Sequence, residues 1–572
     1  MIRPSAVVLL FAALLIPNPT GRAQDSIIRN APPGQLMRGM LSHRKGMVTS
    51  ADGRLWALTW YDDKKTGSLD KDRHLLLCMS KDGGKGWSVV TDTRTTGDSY
   101  GSITTGPMGQ RLHMVWYANN GKKVGTKWIS SVFYASFDTK TMKWEGKADT
   151  IIRPGLSDRE QYYDPDIIVS PKGRIAVSFG NRYVTPTGSV GASGSWSAYL
   201  VWNKGKGWSK PYRINNDYTG ISVDLHLNLW DDLVDEQIEM CYRINTGGYG
   251  TGYRTFDLDK EKFGPEIMIP QLKGAKGRYH GNRNHLAIDR NGDRWVLYVR
   301  NNNSASPKVS EIRIAYLKKG AKAFSKDFLV ATDTYGMGGN VTNYTYSLST
   351  LPGGTVWALY SLKKESSQNL YGRIAKASGL TPQLTLRKGT RKGQYSWVSG
   401  HRPTLQGGGL HAMITDLSAI GTLTGGRNVF LGPVTGTALL HGTGCNASGF
   451  DVPLLYPLQA ASLGGKLTLL AAKHPASTTG ILLLGVNDQK FGPFTLPLPL
   501  AGLGMPGCLL RQDIFTTGTY TCDKSGQSTI SLPFPKIPSL AGLPIFFQSL
   551  VLAPKANQAN LLISNGLTSL AR

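Results

Sequence analysis

Ser80-Lys81-Asp82-Gly83-Gly84-Lys85-Gly86-Trp87 is the stretch that decides the fold of this chain. Its spacing, S-x-D-x-G-x-x-W, suits a β-turn between two strands. Ser80 and Asp82 can accept hydrogen bonds from turn amides, Gly84 can take a positive φ, and Trp87 can fold back as an apolar plug. The apolar run from Leu75 to Met79 before it and the run from Trp87 to Val90 after it read as the strands it joins. The stretch holds architecture and does no chemistry.

Working outward, a turn signal followed by an alternating apolar run recurs roughly every sixty residues. The turns are Asp52-Gly53, Met108-Gly109, Lys172-Gly173, the polar run Asp231 to Asp235, Asn291-Gly292, Gly353-Gly354 and Gly407-Gly408-Gly409. Runs such as Leu55 to Trp60, Leu112 to Tyr117, Trp295 to Val299 and Val356 to Tyr360 follow them. Each unit reads as the first hairpin of a four-stranded sheet, so the expected class is all-β: a seven-bladed β-propeller, with six blades as the alternative.

Ser80 to Trp87 resembles the Asp-box, or BNR repeat, of the sialidase-like superfamily of β-propellers. Leu55 to Thr66 followed by that box is similar to the opening blade of propeller lyases of the ulvan lyase kind. The first resemblance implies arginines that grip a carboxylate, a tyrosine nucleophile and an aspartate acid/base. The second implies uronate β-elimination, with Arg neutralising the carboxylate and His or Tyr taking the adjacent proton. The sialidase (F/Y)-R-I-P pattern has two near matches, Tyr212-Arg213-Ile214-Asn215 and Tyr242-Arg243-Ile244-Asn245, both without the proline.

The ends of the chain divide it further. Arg3, the apolar run Ala6 to Ile16 and the small residues at Gly21-Arg22-Ala23 read as a signal peptide over 1–23. The propeller is expected over 24–436. From about Thr437 charged residues thin out while Leu, Pro and Gly crowd short runs, which predicts a small β-sandwich over 437–572. Its tail, Ile537 to Gln548 and Leu561 to Gly566, resembles a module appended to secreted bacterial proteins, which implies attachment, carbohydrate binding or a structural cap. No later run reaches the ~18 apolar residues of a membrane helix, so a secreted chain without a transmembrane segment is expected. Of five cysteines, Cys78 and Cys241 fall in strand patterns, and Cys508 with Cys522 is the expected disulfide.

Lys and Arg number 65 against 38 Asp and Glu, a net charge of +27, so the partner is expected to be anionic. No nucleic-acid motif is present, and with a signal peptide an acidic glycan or polysaccharide is the expected ligand. In a propeller, the leading ends of the inner strands and the trailing ends of the second strands share one face. That face would collect His43, Arg44, Tyr163, Asp164, Asp166, Asp224, His226, His280, Arg283, His285, Tyr344, Tyr346, His401 and Arg402 from the inner strands, and Tyr61, Asp62, Arg182, Arg243 and Arg300 from the second strands. His285, His280, Tyr344 and Asp164 are the candidate catalytic residues, and the arginines, His43, His226, His401 and Tyr163 are candidates for substrate binding, with His285 beside Arg283 and opposite Arg300 the leading acid/base. The set implies no metal and no cofactor: Asp289 to Asp293 alternates oxygen ligands but reads as a hairpin turn. A hydrolase, a lyase and a non-catalytic glycan-binding protein all stay open on these residues.

Overall fold

The structure is a computed structural model. It describes residues 26–27, 40–41, 46–50, 54–62, 73–81, 87–93, 95, 99–106, 109–124, 127–152, 160–183, 197–203, 207–214, 219–228, 236–244, 250–269, 278–280, 283–289, 291–302, 309–334, 345–350, 355–362, 369–387, 396–400, 412–416, 427–431, 438–441, 444–445, 447, 449–459, 464–537, 540 and 544–570. Contacts divide the chain into one unit over Asp25–Gly432 and another that includes Pro433–Arg572. No α-helix occurs among the described residues, and no helix there is long and apolar enough to cross a membrane.

Among the described residues of the first unit, seven antiparallel sheets follow one another along the chain, each running from an inner to an outer strand. The inner strands are Met40–Leu41 with Met47–Thr49, Ser99–Thr105, Glu160–Val169, Thr219–Leu227, Arg278–His280 with His285–Ile288, Tyr346–Thr350 and Ser396–Gly400. Each contacts the inner strand of the next sheet, and Ser396–Gly400 contacts Met40–Leu41, so the series closes on itself. This is propeller order. Ser26–Ile27 pairs with Arg427–Leu431, which makes the seventh sheet a composite of both ends of the unit. The seven turns read from the sequence fall between the first and second strands of the seven sheets.

Two of those turns show why they form. In Ser170–Arg174, the Ser170 amide donates to the Arg174 carbonyl at 2.8 Å and Gly173 takes φ +83°. In Asp289–Asp293, Asp289 Oδ1 accepts from the amides of Asn291 and Asp293 (2.9 and 3.1 Å), as a hairpin turn requires. The indole of Trp295 donates to Asp289 Oδ2 at 3.0 Å, and in the first sheet Trp56 donates to Ser50 Oγ at 2.8 Å from the equivalent place. A tryptophan just past the turn thus fastens the hairpin and fills the blade core.

Ser80 ends the third strand of the first sheet and Trp87 precedes the fourth, packed in a cluster with Met47, Leu55, Ala57, Leu76 and Cys78. Asp82 and Gly84 lie outside the described residues. The same connection in the second and fourth sheets carries another spacing, Phe137-Asp138…Trp144 and Phe256-Asp257…Phe263. Asp138 Oδ1 accepts from the amides of Lys140 and Thr141, and Asp257 Oδ1 from those of Asp259 and Lys260. The aromatic pairs close at 5.4 and 4.7 Å between ring centroids.

These turns are gripped from the preceding sheet. Arg54 Nη2 donates to the carbonyl of Thr139 at 2.6 Å, and Arg174 Nη1 donates to the equivalent carbonyl of Leu258 at 2.9 Å. Arg174 also meets Glu236, which is fully buried, and Asp259. Between the fourth and fifth sheets, Arg294 makes a two-pronged pair with Glu239 at 2.6 and 2.9 Å, joined by the Tyr253 hydroxyl at 2.7 Å.

The C-terminal unit is built from a six-stranded sheet, a three-stranded sheet and two short two-stranded ladders. The disulfide joins Cys445 to Cys508, which corrects the expected Cys508–Cys522 pairing. Cys445 and Cys508 share one apolar cluster with Leu483, Val551 and Ile563, whereas Cys522 is buried in a different one with Leu455 and Phe547. Sequence proximity favoured the hairpin pair, but the two thiols belong to separate cores. Cys78, Cys241 and Cys522 are buried thiols outside this disulfide, and burial pushes the Cys78 and Cys522 thiols up to about 11.

Candidate functional site

The leading ends of the inner strands are irregular. Register shifts between Ser99 and Gly101, between Tyr163 and Asp166 and between Thr219 and Val223, so the strands bulge where they enter the sheet. Asp164 sits in the third-sheet bulge at φ +45°, a conformation that L-residues adopt at a cost. Its carboxylate faces Arg283, whose Nη2 lies 3.1 Å from Oδ2 and 3.3 Å from Oδ1, with both side chains about 5% exposed. The fourth sheet lies between these partners in chain order, so the ion pair joins two non-adjacent inner strands. The Tyr346 hydroxyl of the sixth sheet donates to the Arg283 carbonyl, and the Tyr346 ring meets His285 edge-on at 5.5 Å. Tyr163 meets Tyr117 of the second sheet edge-on at 5.5 Å.

One level deeper, carboxylates tie strands together. Asp166 accepts from Ser102 Oγ of the second sheet at 2.6 Å and from the Leu225 amide of the fourth at 2.8 Å. Asp224 accepts from the Leu286 amide of the fifth at 2.6 Å. These two carboxylates are fully buried and serve the ring itself.

Several sequence expectations need correction. His285 is 1% exposed and pairs in register with Leu297, so it does not stand opposite Arg300; His280 does. The irregular segment between Arg278–His280 and His285–Ile288 shifts the count. Arg300 is engaged by Glu311, its neighbour across the third strand, through Nε at 2.9 Å and through Nη2. Arg283 is buried in its pair with Asp164, which turns a supposed surface guanidinium into an internal one. His226 sits deeper in its strand, buried opposite Glu239, with Nδ1 2.7 Å from the Leu227 carbonyl oxygen. Alternation and strand depth, not residue type, put these groups inside.

The two near matches to the arginine pattern part company. Tyr212–Arg213 is the outermost strand of the third sheet, and Arg213 is exposed. Tyr242 and Arg243 lie at the trailing end of a second strand, where Arg243 is half-buried and pairs in register with Thr251. His280 and Arg182 lie on described strands, but their side chains are outside the described residues, as are His43, Arg44, Tyr344, His401 and Arg402 altogether. The structure therefore brings together Asp164, Arg283, His285 and Tyr346, with Tyr163 next to Asp164 in the chain and its ring against Tyr117. Tyr117 and Asn284 join this region without a sequence signal of their own: Asn284 is fully buried between Arg283 and His285, and among the described residues neither polar atom of its amide has a hydrogen-bond partner.

No protein-family model matches the sequence, and no curated protein matches it. Solved structures do resemble it in part. An ulvan lyase presented as a new family of polysaccharide lyase is 10% identical, with 72% of this chain and 94% of that chain covered and a TM-score of 0.44. A second polysaccharide lyase is 12% identical over 68% of this chain and 89% of that one, with a TM-score of 0.42. A Hadza microbial sialidase is 11% identical over 63% of this chain and 73% of that one, with a TM-score of 0.35. Likenesses at this level assign no chemistry to the residues described above.

Proposed function

We propose that this chain is a secreted, seven-bladed BNR-type propeller followed by a β-sandwich, and that it recognises and cleaves an acidic glycan or polysaccharide. The observation that carries the reading is the grouping of Tyr163, Asp164, Arg283, His285 and Tyr346 where the inner strands of three sheets begin. The histidine and tyrosine side chains gathered at this end of the inner strands, on a net-cationic chain, suit a carboxylate-bearing sugar, with Arg283 held in place by Asp164. His280 and Tyr344 are the proposed proton-transfer groups, in hydrolysis or in β-elimination, whereas Asp164, expected from the sequence among them, is buried in its pair with Arg283 and is proposed to hold that guanidinium. Arg243, Arg182, Arg44, Arg402, His43 and His401 are proposed to line the approach. His285 is proposed to position Tyr346 and Arg283.

A second reading, a non-catalytic glycan-binding propeller, is favoured by the burial of His285 and by the engagement of Arg283 and Arg300 with carboxylates. One screen separates the readings. Purified protein is incubated with sialosides and with uronate polysaccharides, read by ultraviolet absorbance for unsaturated product and by reducing ends for hydrolysis. Product of either kind supports the enzyme; salt-sensitive binding without product supports the binding protein; neither binding nor product on any acidic glycan removes both.

A further inference from the structure

Exposed apolar side chains are unevenly shared between the units. Among the described residues seven large apolar side chains are exposed, and all but Leu329 belong to the C-terminal unit, although that unit is much the smaller. Two of them, Leu503 at 70% and Phe494 at 52%, are the most exposed of all and sit on one segment. From Phe491 to Leu510 that segment has no charged residue, no Trp and no Tyr.

The segment folds as a cover. Lys490–Phe491 pairs with Phe494–Thr495, Leu498–Pro499 pairs with Leu509–Leu510, and a 3₁₀ turn, Ala501–Leu503, lies between. Leu496, Leu500, Met505, Cys508 and Leu510 point into one apolar cluster, and the bond from Cys508 to Cys445 pins the cover down. Phe491 also packs on that cluster, while its register partner Phe494 projects outward. At the second tip, the Leu500 carbonyl accepts from Leu503 and Met505 and the Ala501 carbonyl accepts from Gly504. Leu503 is therefore presented on a turn in which its own amide and those of Gly504 and Met505 are already bonded. That is the condition a tip must meet to leave water at low cost.

The rim has the opposite character. Lys490 flanks the first tip in the hairpin ladder. Lys555 stands on a turn whose Ala559 amide donates to the Gly504 carbonyl at 3.3 Å, beside the second tip. Both lysines are exposed, and the acidic residues nearby are Asp488, which accepts from the Gln489 side-chain amide, and Asp513, which accepts from the backbone amides of Val486 and Asn487. Uncharged apolar tips bordered by lysines, on a stretch (433–572) that has eight Lys and Arg against four Asp and no Glu, match the layered chemistry of a bilayer surface: hydrocarbon below, anionic headgroups above.

We propose that this cover docks the protein on an anionic lipid bilayer, with Leu503 and Phe494 inserted and Lys490 and Lys555 at headgroup level. The proposal is independent of the glycan reading. The test is co-sedimentation of the full chain with phosphatidylcholine vesicles, with and without phosphatidylglycerol, at low and high salt. Phe494→Ser with Leu503→Ser is compared with Leu329→Ser, all three substitutions being at exposed positions, and thermal melting verifies the fold. The wild type and Leu329→Ser are expected to bind phosphatidylglycerol vesicles alike, and the double variant to lose about tenfold or more in partitioning. Lys490→Gln with Lys555→Gln should lose a few-fold and flatten the salt dependence. Absence of vesicle binding by the wild type, or full binding by the double variant, overturns the proposal. So does concentration-dependent self-association that the double variant abolishes while vesicle binding persists, since the occupant is then a second copy.

Discussion

Arg283 on the fifth sheet and Asp164 on the third meet at 3.1 Å with the fourth sheet between them in chain order, so one buried ion pair bridges strands that share no ladder. Removing one partner strands the other's charge away from water. Asp164→Ala is expected to cost about 3 to 5 kcal/mol in urea denaturation of the full chain. Replacing both with uncharged residues, Asp164→Asn, which tolerates the positive φ, with Arg283→Met, should recover most of the loss. A loss below about 1 kcal/mol for Asp164→Ala would show that the pair is solvated.

Arg174 and Arg54 occupy equivalent places but hold different partners, which separates their expected costs. Arg174→Ala leaves the fully buried Glu236 without its cation, for about 2 to 3 kcal/mol. Arg54→Ala removes a bond to the Thr139 carbonyl and contacts to the sulfurs of Met79 and Met142, for about 1 kcal/mol. Equal losses in denaturation midpoints would mean that the shared turn carbonyl, and not Glu236, sets the energetics.

The connections were legible because glycine pairs with Asn, Asp or Gly mark four of them, Met108-Gly109 and Lys172-Gly173 two more and a polar run the last, and all seven signals fall in sequence between the inner and second strands. The turn between the third and fourth strands was legible at Ser80 to Trp87 alone. Asp138 and Asp257 do the same work from a different spacing, so the box pattern passes over them; the shared Phe-Asp-x5-aromatic stretch is the signal that finds them. The pairing of Ser26–Ile27 with Arg427–Leu431 had no local signature, since it joins segments some four hundred residues apart in number. At the site, residue type identified Asp164, Arg283 and His285 as neighbours. Their burial was hidden because bulges at the leading ends shift which side chains face inward, and alternation cannot be counted through a bulge.

Two buried histidines should make the fold acid-sensitive. Burial, with the Arg111 charge adding to it, lowers the His113 pKa to about 3, and burial lowers that of His474 to about 4 against the opposing bond to the Ala472 carbonyl. In the unfolded chain both protonate near pH 6.5, so the unfolded state takes up protons first as pH falls. The stability from neutral His474 is present above about pH 6.5 and is lost progressively down to about pH 4; for His113 the loss continues to about pH 3. Each is worth a few kcal/mol at most. His113→Gln and His474→Gln should each lower the melting temperature at pH 7 yet reduce its fall between pH 7 and pH 4.5. An unchanged slope in both variants would place the acid sensitivity elsewhere.

The thiols give a count. With Cys445 and Cys508 bonded and the remaining three buried, the native chain should react with almost no thiol reagent at pH 8. Denaturant without reductant should release three thiols, and denaturant with reductant five. Cys508→Ser should lower the stability of the C-terminal unit by about 2 to 5 kcal/mol, whereas Cys522→Ser should cost less. A Cys522 found in a peptide linked to Cys508 by mass spectrometry would reverse the assignment.

His285 decides between acid/base and positioning roles. A group that moves protons on a substrate must reach it, and then its loss lowers turnover while binding and stability are kept. His285 is 1% exposed, edge-on to Tyr346, whose hydroxyl holds the carbonyl of Arg283. Replacing the ring by Ala should therefore leave a cavity costing roughly 2 to 4 kcal/mol and let Arg283 move. Affinity for an acidic glycan and turnover on it should fall together, and His285→Asn, which refills part of the space, should restore part of each. Denaturation midpoints, binding isotherms and initial rates on the same three proteins make the comparison. A loss of about a hundredfold in turnover with stability and affinity intact would return His285 to the role of acid/base, and would mean that the buried ring opens to the substrate during the reaction.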